Sequence, residues 1–297
     1  MNGVLLIDKP EGLTSFGTLI RVKKIINQKK CGHTGTLDPM ATGILTVMLG
    51  SGTRFCELLP VHDKAYRASI RLGTVTDTLD ITGNVLETNP VASTREDLLA
   101  VLQSFTGKIM QVPPMYSAVS VNGRRLYQLA RKGEEIERES REIEIYSLVL
   151  SDYNDETKEF TVDVSCSAGT YIRSLADDIG RKLGCGAVLT GLRRTSANGF
   201  GIEKALTLEA LADAVESGTL CEHIMSVDSV LESYPAVYVT APQGVRFSNG
   251  GELLLERLTI TPNEGIYRVY APGRQFIGLG EIKDGCDSLL VKKIYKE

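Results

Sequence analysis

Gly32-His33-Thr34-Gly35-Thr36-Leu37-Asp38-Pro39-Met40-Ala41-Thr42-Gly43 is the stretch around which the chain is organised. Three glycines, a proline and three threonines exclude a simple helix or strand across it. Glycine opens backbone angles closed to other residues, and Pro39 fixes its own φ and biases Asp38 toward an extended conformation. Asp38 is therefore expected at the end of a shaped loop with its carboxylate aimed one way. Such a carboxylate is a candidate acid, base or nucleophile. The competing reading is a surface turn in which Asp38 caps the segment that follows.

Upstream of the loop, Val4-Leu5-Leu6-Ile7-Asp8 reads as a short buried strand, followed by the turn Lys9-Pro10-Glu11-Gly12. Thr14 or Ser15 offers an N-cap oxygen, and Phe16, Leu19, Ile20, Lys23 and Ile26 recur at helical spacing. The basic residues Arg21, Lys23, Lys24, Lys29 and Lys30 lead up to the loop, either as a phosphate-contacting face or as a solvated one. No Gly-Lys-Ser/Thr follows the glycines and no dinucleotide-binding fingerprint is present, which disfavours a nucleotide-triphosphate enzyme.

Downstream, Tyr66 to Leu72 alternates in period two, with Tyr66, Ala68, Ile70 and Leu72 inward. A polar loop holds Asp77 and Asp80. Ser93 and Glu96 form a capping-box pattern for a helix carrying Leu98, Leu99, Val101, Leu102 and Phe105 and closed by Gly107. Tyr116 to Val121 is strand-like and ends at the turn signal Asn122-Gly123. Arg124, Arg125, Arg131 and Lys132 mark an excursion running to about 144, either an arm that touches a polyanion or a solvated hairpin and helix. Two alternating strands follow, marked by Ile143, Ile145 and Val149 and by Phe160, Val162, Val164 and Cys166. The second turns into a helix with Ile172, Leu175, Ala176, Ile179 and Leu183 apolar and Gly184 at its end. Tyr171 and Arg173 lie off that stripe. Arg173 is open to pairing a carboxylate bidentately or to being a plain surface residue. Leu192-Arg193-Arg194 closes another strand, and Thr207 caps a further helix. From about residue 234 short apolar runs between Gly, Pro and Asn indicate a small separate β-barrel.

The chain has 297 residues, 42% hydrophobic and 24% charged, with a net charge of −4. Residues 1–72 hold ten Lys and Arg against five Asp and Glu; residues 73–232 hold fifteen against twenty-five; residues 233–297 hold eight against seven. A basic N-terminal part leaves room for a polyanion-binding face on an acidic protein. Six scattered cysteines without a C-x-x-C pair read as reduced core residues. Cys31 and His33 lack partners at zinc-like spacing, so no metal site is expected. Val4 to Ile7 is too short for a signal peptide and nothing approaches a membrane span, so the expectation is a soluble, cytoplasmic protein.

The ordered motifs resemble those of the bacterial tRNA pseudouridine-55 synthases of the TruB family. They are Gly3-Val-Leu-Leu-Ile-Asp8-Lys9-Pro10-Glu-Gly12, the 32–43 loop, Lys64-Ala-Tyr66, Asp77-Thr-Leu-Asp80, Pro114-Met-Tyr116-Ser-Ala, Gly169-Thr-Tyr171-Ile-Arg173 and Leu192-Arg-Arg194. Phe247-Ser-Asn-Gly250 and Phe276-Ile-Gly-Leu-Gly280 resemble that family's PUA-type RNA-binding module. The resemblance implies a mixed α/β (α+β) fold. Residues 1–232 would form a catalytic domain with a mostly antiparallel sheet, flanking helices and an RNA-gripping insertion at about 124–144. Residues 233–297 would form a PUA-like β-barrel.

The activity implied is isomerisation of uridine 55 in the TΨC loop of tRNA: the base is flipped out, its N-glycosidic bond is cleaved, and it is rejoined through C5, with no cofactor. Asp38 would be the catalytic carboxylate and Arg173 its partner. Tyr66 would stack on the flipped uracil, Tyr171 and Leu192 would line the pocket, and His33 would fill the vacated space. Asp80 would contact a neighbouring base, and Lys9 and Pro10 would support the loop. The partner implied is the tRNA TΨC stem-loop, bound by a monomer with no obligatory protein or guide RNA. A tRNA-folding chaperone that uses the pocket only for binding is the alternative. A guide-RNA-dependent synthase is a third reading, disfavoured by the short C-terminal module and the lack of basic tails. The chain departs from the family pattern in lacking a basic N-terminal extension and in its nearly neutral C-terminal module, both of which bear on tRNA binding rather than chemistry.

Overall fold

The computed structural model describes residues 1–296 except Asn122, so the expected Asn122-Gly123 turn lies partly outside the described residues. The N-terminal half opens with β1 (Gly3–Lys9), α1 (Ser15–Ile25), β2 (Cys31–Thr34), β3 (Thr42–Leu49) and β4 (Lys64–Leu72). A small hairpin, β5 (Thr74–Thr76) and β6 (Val85–Thr88), precedes α2 (Arg95–Gln103) and β7 (Gly107–Gln111). Next come β8 (Ser120–Val121), β9 (Arg124–Arg125) and α3 (Leu126–Ala130). The long strands β10 (Arg141–Asn154) and β11 (Glu159–Cys166) lead to α4 (Ile172–Lys182), β12 (Ala187–Ala197), β13 (Phe200–Gly201) and α5 (Leu208–Glu216).

Nine of these strands form one sheet with the central order β1-β3-β12-β4-β11-β10-β7, β2 pairing β3 and β13 pairing β12. Its pairings are antiparallel except β12 with β3, which is parallel. The fold is thus mixed α/β with a mostly antiparallel sheet, as the sequence implies. Period-two alternation explains the centre: Tyr66, Ala68, Ile70 and Leu72 of β4 and Phe160, Val162, Val164 and Cys166 of β11 are all buried beneath Ile172, Leu175, Ala176 and Ile179 of α4. On the β1 and β3 side, Leu5, Ile7, Leu45 and Val47 pack against Leu19 and Val22 of α1 and Leu211 of α5.

The remaining elements are β14 (Ala236–Tyr238), α6 (Ala241–Ser248), β15 (Leu253–Leu254), β16 (Gly265–Ala271), β17 (Gln275–Ile282) and β18 (Ser288–Ile294). Their strands make a second sheet in the order β14-β16-β17-β18-β15, a curled half-barrel of PUA-like form. The strands match the apolar runs read from the sequence, but the unit is not separate. Tyr270, Phe276 and Leu279 share a core with Val4, Leu6, Ile44, Met48 and Phe55. The ring of Phe55, on the 3-10 segment Gly50–Leu58, lies 6.3 Å from that of Phe276 and 6.0 Å from that of Tyr295. Helix α6 was not anticipated; a capping box on Thr240 and Gln243 and a proline in its first turn start it.

Other expectations are corrected. Residues 31–34 and 42–43 are strand, because both flanks of the 32–43 stretch pair within the sheet, so the loop proper is 35–41. Helix α1 buries Thr18, Leu19, Val22 and Ile26, whereas Phe16 and Ile20 are 61% and 51% exposed. Its rotation is set by Ser15, whose hydroxyl donates to the Leu37 carbonyl (3.1 Å) and accepts from the Leu37 N–H (2.7 Å). The capping box of α2 is Thr94 with Asp97, one residue on from the expected pair, and Gly107 opens β7 rather than closing the helix. Only Ser120 and Val121 of the 116–121 run are strand. The excursion leaves the sheet after Gln111 and rejoins it at Arg141, so 141–144 already pair with β7. Among the cysteines, which are all free, only Cys166 and Cys185 are buried. Among the described residues no helix is long and apolar enough to cross a membrane.

The parallel contact between β12 and β3 brings Gly43 onto the backbone of Arg194. Gly43 has φ +107°, and a Cβ there would collide with the Arg194 carbonyl and amide. Gly43→Ala is expected to destabilise the protein by about 3 kcal/mol or more. Gly12→Ala, at φ +80° but with open space around it, should cost only about 1–2 kcal/mol. Thermal denaturation of the two variants side by side tests the difference; equal losses would remove the packing argument.

Candidate active site

The loop 35–41 is fastened at nearly every residue. Leu37 and Ala41 are buried in the main core. Ser15 staples Leu37, the Gly12 N–H donates to the Pro39 carbonyl (2.8 Å), and the Ala41 N–H donates to the Asp38 carbonyl (3.1 Å). Beneath it Lys9 is fully buried, and its ammonium donates to the carbonyls of Pro10 (2.8 Å), Leu13 (2.6 Å) and Pro39 (3.4 Å). Burial pushes Lys9 down to about 8, so at neutral pH it is still mostly an ammonium. These three acceptors give it a supporting geometry under the loop.

Asp38 is held between these anchors, its side chain 36% exposed. Its Oδ2 lies 2.9 Å from Nε of Arg173, so the juxtaposition expected from two distant motifs is present. Arg173 is not off the core: it is 5% exposed. Both of its terminal nitrogens are engaged by backbone. Its Nη1 donates to the Thr78 carbonyl (3.0 Å) and its Nη2 to the Tyr116 carbonyl (2.7 Å). A planar guanidinium with three edges occupied has little freedom to rotate. Burial raises the Asp38 pKa above its ordinary value; the Arg173 charge opposes this, and Asp80 adds to it.

Asp80 is 4% exposed. Its Oδ1 accepts from the Thr78 hydroxyl (2.9 Å) and from the N–H (3.0 Å) and hydroxyl (2.5 Å) of Thr82, while Oδ2 lies 3.8 Å from Arg173. The carboxylate expected to meet an RNA base is instead turned inward, toward its own turn and Arg173. The turn is sewn to β12, the Ile81 N–H donating to the Leu189 carbonyl and the Leu189 N–H to the Leu79 carbonyl. Leu79 itself sits at φ +64°, a left-handed conformation costly for a leucine. That strained residue lies between the Thr78 carbonyl that Arg173 grips and Asp80.

Tyr66 belongs to the same buried cluster as Leu37 and Ala41, and Leu192 packs against it. Burial pushes the Tyr66 phenol up to about 12, so it stays protonated. Tyr171 is the N-cap residue of α4, immediately before Ile172 and Arg173. Gln111 holds its backbone from both sides: the Tyr171 N–H donates to Oε1 (2.8 Å) and Nε2 donates to the Tyr171 carbonyl (3.1 Å). His33 stands apart on β2, half-buried, with its buried Nδ1 unpartnered among the described residues and its pKa lowered by burial and then by the Arg194 charge. Pro10 contributes a carbonyl to Lys9. Sequence reading missed Ser15, Gln111, Thr78 and Thr82. Only the Thr-x-Asp-x-Thr spacing around Asp80, a side-chain turn pattern, carried a local signal.

The arrangement is one partly exposed carboxylate with a fixed counter-charge, on a loop anchored in a core cluster that also holds Tyr66 and Leu192. It can bind a flat ring and act on it through a single ionised oxygen pair.

Three sequence models match the chain in succession: "TruB family pseudouridylate synthase (N terminal domain)" over residues 23–172, "tRNA pseudouridylate synthase B C-terminal domain" over 173–232, and "Pseudouridine synthase II TruB, C-terminal" over 235–288. The chain is 44% identical over 285 residues to a protein of Clostridium kluyveri named tRNA pseudouridine synthase B, covering 96% of each chain. It is 42% identical over 294 residues to the protein of the same name from Escherichia coli (strain K12), covering 96% of this chain and 92% of the other. Among solved structures it resembles a chain of a Cbf5-Nop10-Gar1 complex, with TM-score 0.75, 26% identity and coverage of 98% and 84%. It also resembles a chain of an H/ACA RNP bound to a substrate RNA containing 2'-deoxyuridine, with TM-score 0.73, 25% identity and coverage of 99% and 85%.

The Asp38 carboxyl should titrate above the ordinary carboxylate value, because burial outweighs the Arg173 charge. Arg173→Met removes the opposing charge and should move the midpoint further up. Carboxyl-carbon NMR titration, with Asp38→Asn to assign the resonance, checks both; a midpoint that falls in Arg173→Met would contradict this electrostatic picture.

Proposed function

The chain belongs to the TruB family of pseudouridylate synthases, and on that premise we propose that it isomerises a uridine of tRNA, at position 55 of the TΨC loop, to pseudouridine. The observation that carries the site assignment is the 2.9 Å contact between Asp38 and Arg173, made by residues 135 positions apart. Isomerisation of an N-glycoside to a C-glycoside changes no oxidation state. It needs the base released, turned and rejoined through C5. One oriented carboxylate beside sugar and base suffices as the reacting protein group, and Asp38 takes that role. Arg173 keeps it ionised and pointed.

A uridine stacked in a folded loop must leave the stack to reach this carboxylate. Tyr66 supplies an aromatic surface for the flipped uracil, Tyr171 and Leu192 complete the pocket, and His33 enters the space the base leaves. A neutral imidazole suits that last role, since it stacks among bases without a charge to solvate. Asp80 acts at one remove in the substrate-free state, through Arg173. Residues 1–232 are the catalytic unit and 233–297 the RNA-holding module, with the 112–140 excursion and its exposed Arg124 and Arg125 as the arm that grips RNA. The chain works as a monomer without a guide RNA.

Incubation of the purified protein with unmodified tRNA transcript should give pseudouridine at position 55 with no added RNA or protein. Asp38→Asn should lower turnover by about four orders of magnitude or more while tRNA still binds. No product with wild type would overturn the assignment. Product only with an added guide RNA would transfer it to the guided class, and undiminished turnover by Asp38→Asn would take the reaction away from Asp38.

A further inference from the structure

Arg194 is the largest fully buried side chain in the described structure. It lies on β12, opposite Tyr66 of β4 on one side and Gly43 of β3 on the other. Its Nε donates to the Ile44 carbonyl (2.8 Å) and its Nη2 to the Gly35 carbonyl (3.0 Å). Those two carbonyls bracket the Asp38 loop. Nη1 has no hydrogen-bond partner, and among the described residues no carboxylate forms an ion pair with this guanidinium. The guanidinium and the Tyr66 hydroxyl already lie within hydrogen-bonding reach and interact as charges, although Nη1 is not aligned on the hydroxyl.

A buried cation with no counter-ion and an orphan donor is a poor device for stability, since desolvation is not offset by an ion pair. Burial first, and the Arg194 charge after it, lower the pKa values of His33 and Lys64, so no nearby group on that side offsets the guanidinium. What the position does achieve is geometric. It pairs with Tyr66 on one side and, on the other, with Gly43 at the end of the stretch that carries Asp38.

We propose that Arg194 is a positioning residue of the isomerisation, fixing the Asp38 loop through Gly35 and Ile44 and the Tyr66 ring in one register, with Nη1 completing a hydrogen bond to the Tyr66 hydroxyl when uracil stacks. The inference rests on the isomerase reading above. Lysine preserves the charge but not the planar fork that reaches two carbonyls and a hydroxyl together. A displacement of either wall by about 1 Å costs on the order of 100-fold in rate.

The test uses unmodified tRNA transcript with wild type, Arg194→Lys and Arg194→Ala. Wild-type turnover establishes the reading on which the proposal rests, so its absence would be the failure of that reading and not of this one. With wild type active, Arg194→Lys should lose about 100-fold in kcat with KM held within about threefold. Guanidinium ion at millimolar concentration should restore part of the kcat of Arg194→Ala, where ammonium does not. By NMR titration the His33 imidazole should keep its pKa in the lysine variant and rise in the alanine variant. A lysine variant within about threefold of wild-type kcat, a loss expressed in KM alone, or no rescue by guanidinium would overturn the proposal. So would failure of both variants to fold, which would make Arg194 a structural residue only.

Discussion

The contact between Arg173 and Asp38 is the constraint on which the site depends. A partly desolvated carboxylate drifts toward its neutral form unless a positive charge stands beside it. The charge must also be immobile, or the carboxylate is ionised but unaimed. Arg173 meets both demands because it is buried at the start of α4 and its two remaining nitrogens are bound to the Thr78 and Tyr116 carbonyls. One guanidinium thus joins the Asp38 loop, the strained turn at Leu79 and the beginning of the excursion. The sheet supplies the frame: α4 packs on β4 and β11, while the loop hangs from β3, so the antiparallel core sets the distance between the two partners.

Supporting residues divide into two kinds. Lys9, Ser15 and Arg194 hold the loop through its carbonyls and amides, and Gln111 holds Tyr171 in the same way. Because the grip is on backbone, it asks nothing of the gripped side chain, whereas the gripping side chain's length and hydrogen-bonding capacity are fixed by it. Tyr66 and Leu192, by contrast, contribute surface.

This division explains what could be read before the fold was known. Alternation in Tyr66–Leu72 and Phe160–Cys166 placed two central strands correctly, because period two on a half-buried strand is a direct consequence of pleating. Asp38 and Arg173 were legible as a pair only through the motifs that contain them; neither spacing nor composition joins residues so far apart. Ser15, Gln111 and the carbonyl of Thr78 were invisible, since a backbone acceptor leaves no mark in the sequence. The face of α1 was misjudged because Phe16 and Ile20 follow helical spacing, whereas the actual rotation is fixed by a hydroxyl-to-backbone staple at Ser15. Asp80 was legible as a site residue through its motif, but not its turn, in which two flanking threonines close on Oδ1. The C-terminal strands were found, but their shared core with β1 and β3 depends on contacts between residues more than two hundred positions apart.

That shared core has a mechanical meaning. Phe55, Phe276 and Tyr295 pack ring against ring between the two sheets, and the cluster they belong to takes residues from β1, β3 and the half-barrel alike. Close-packed interiors transmit strain, so a load placed on either sheet is carried into the other through these rings.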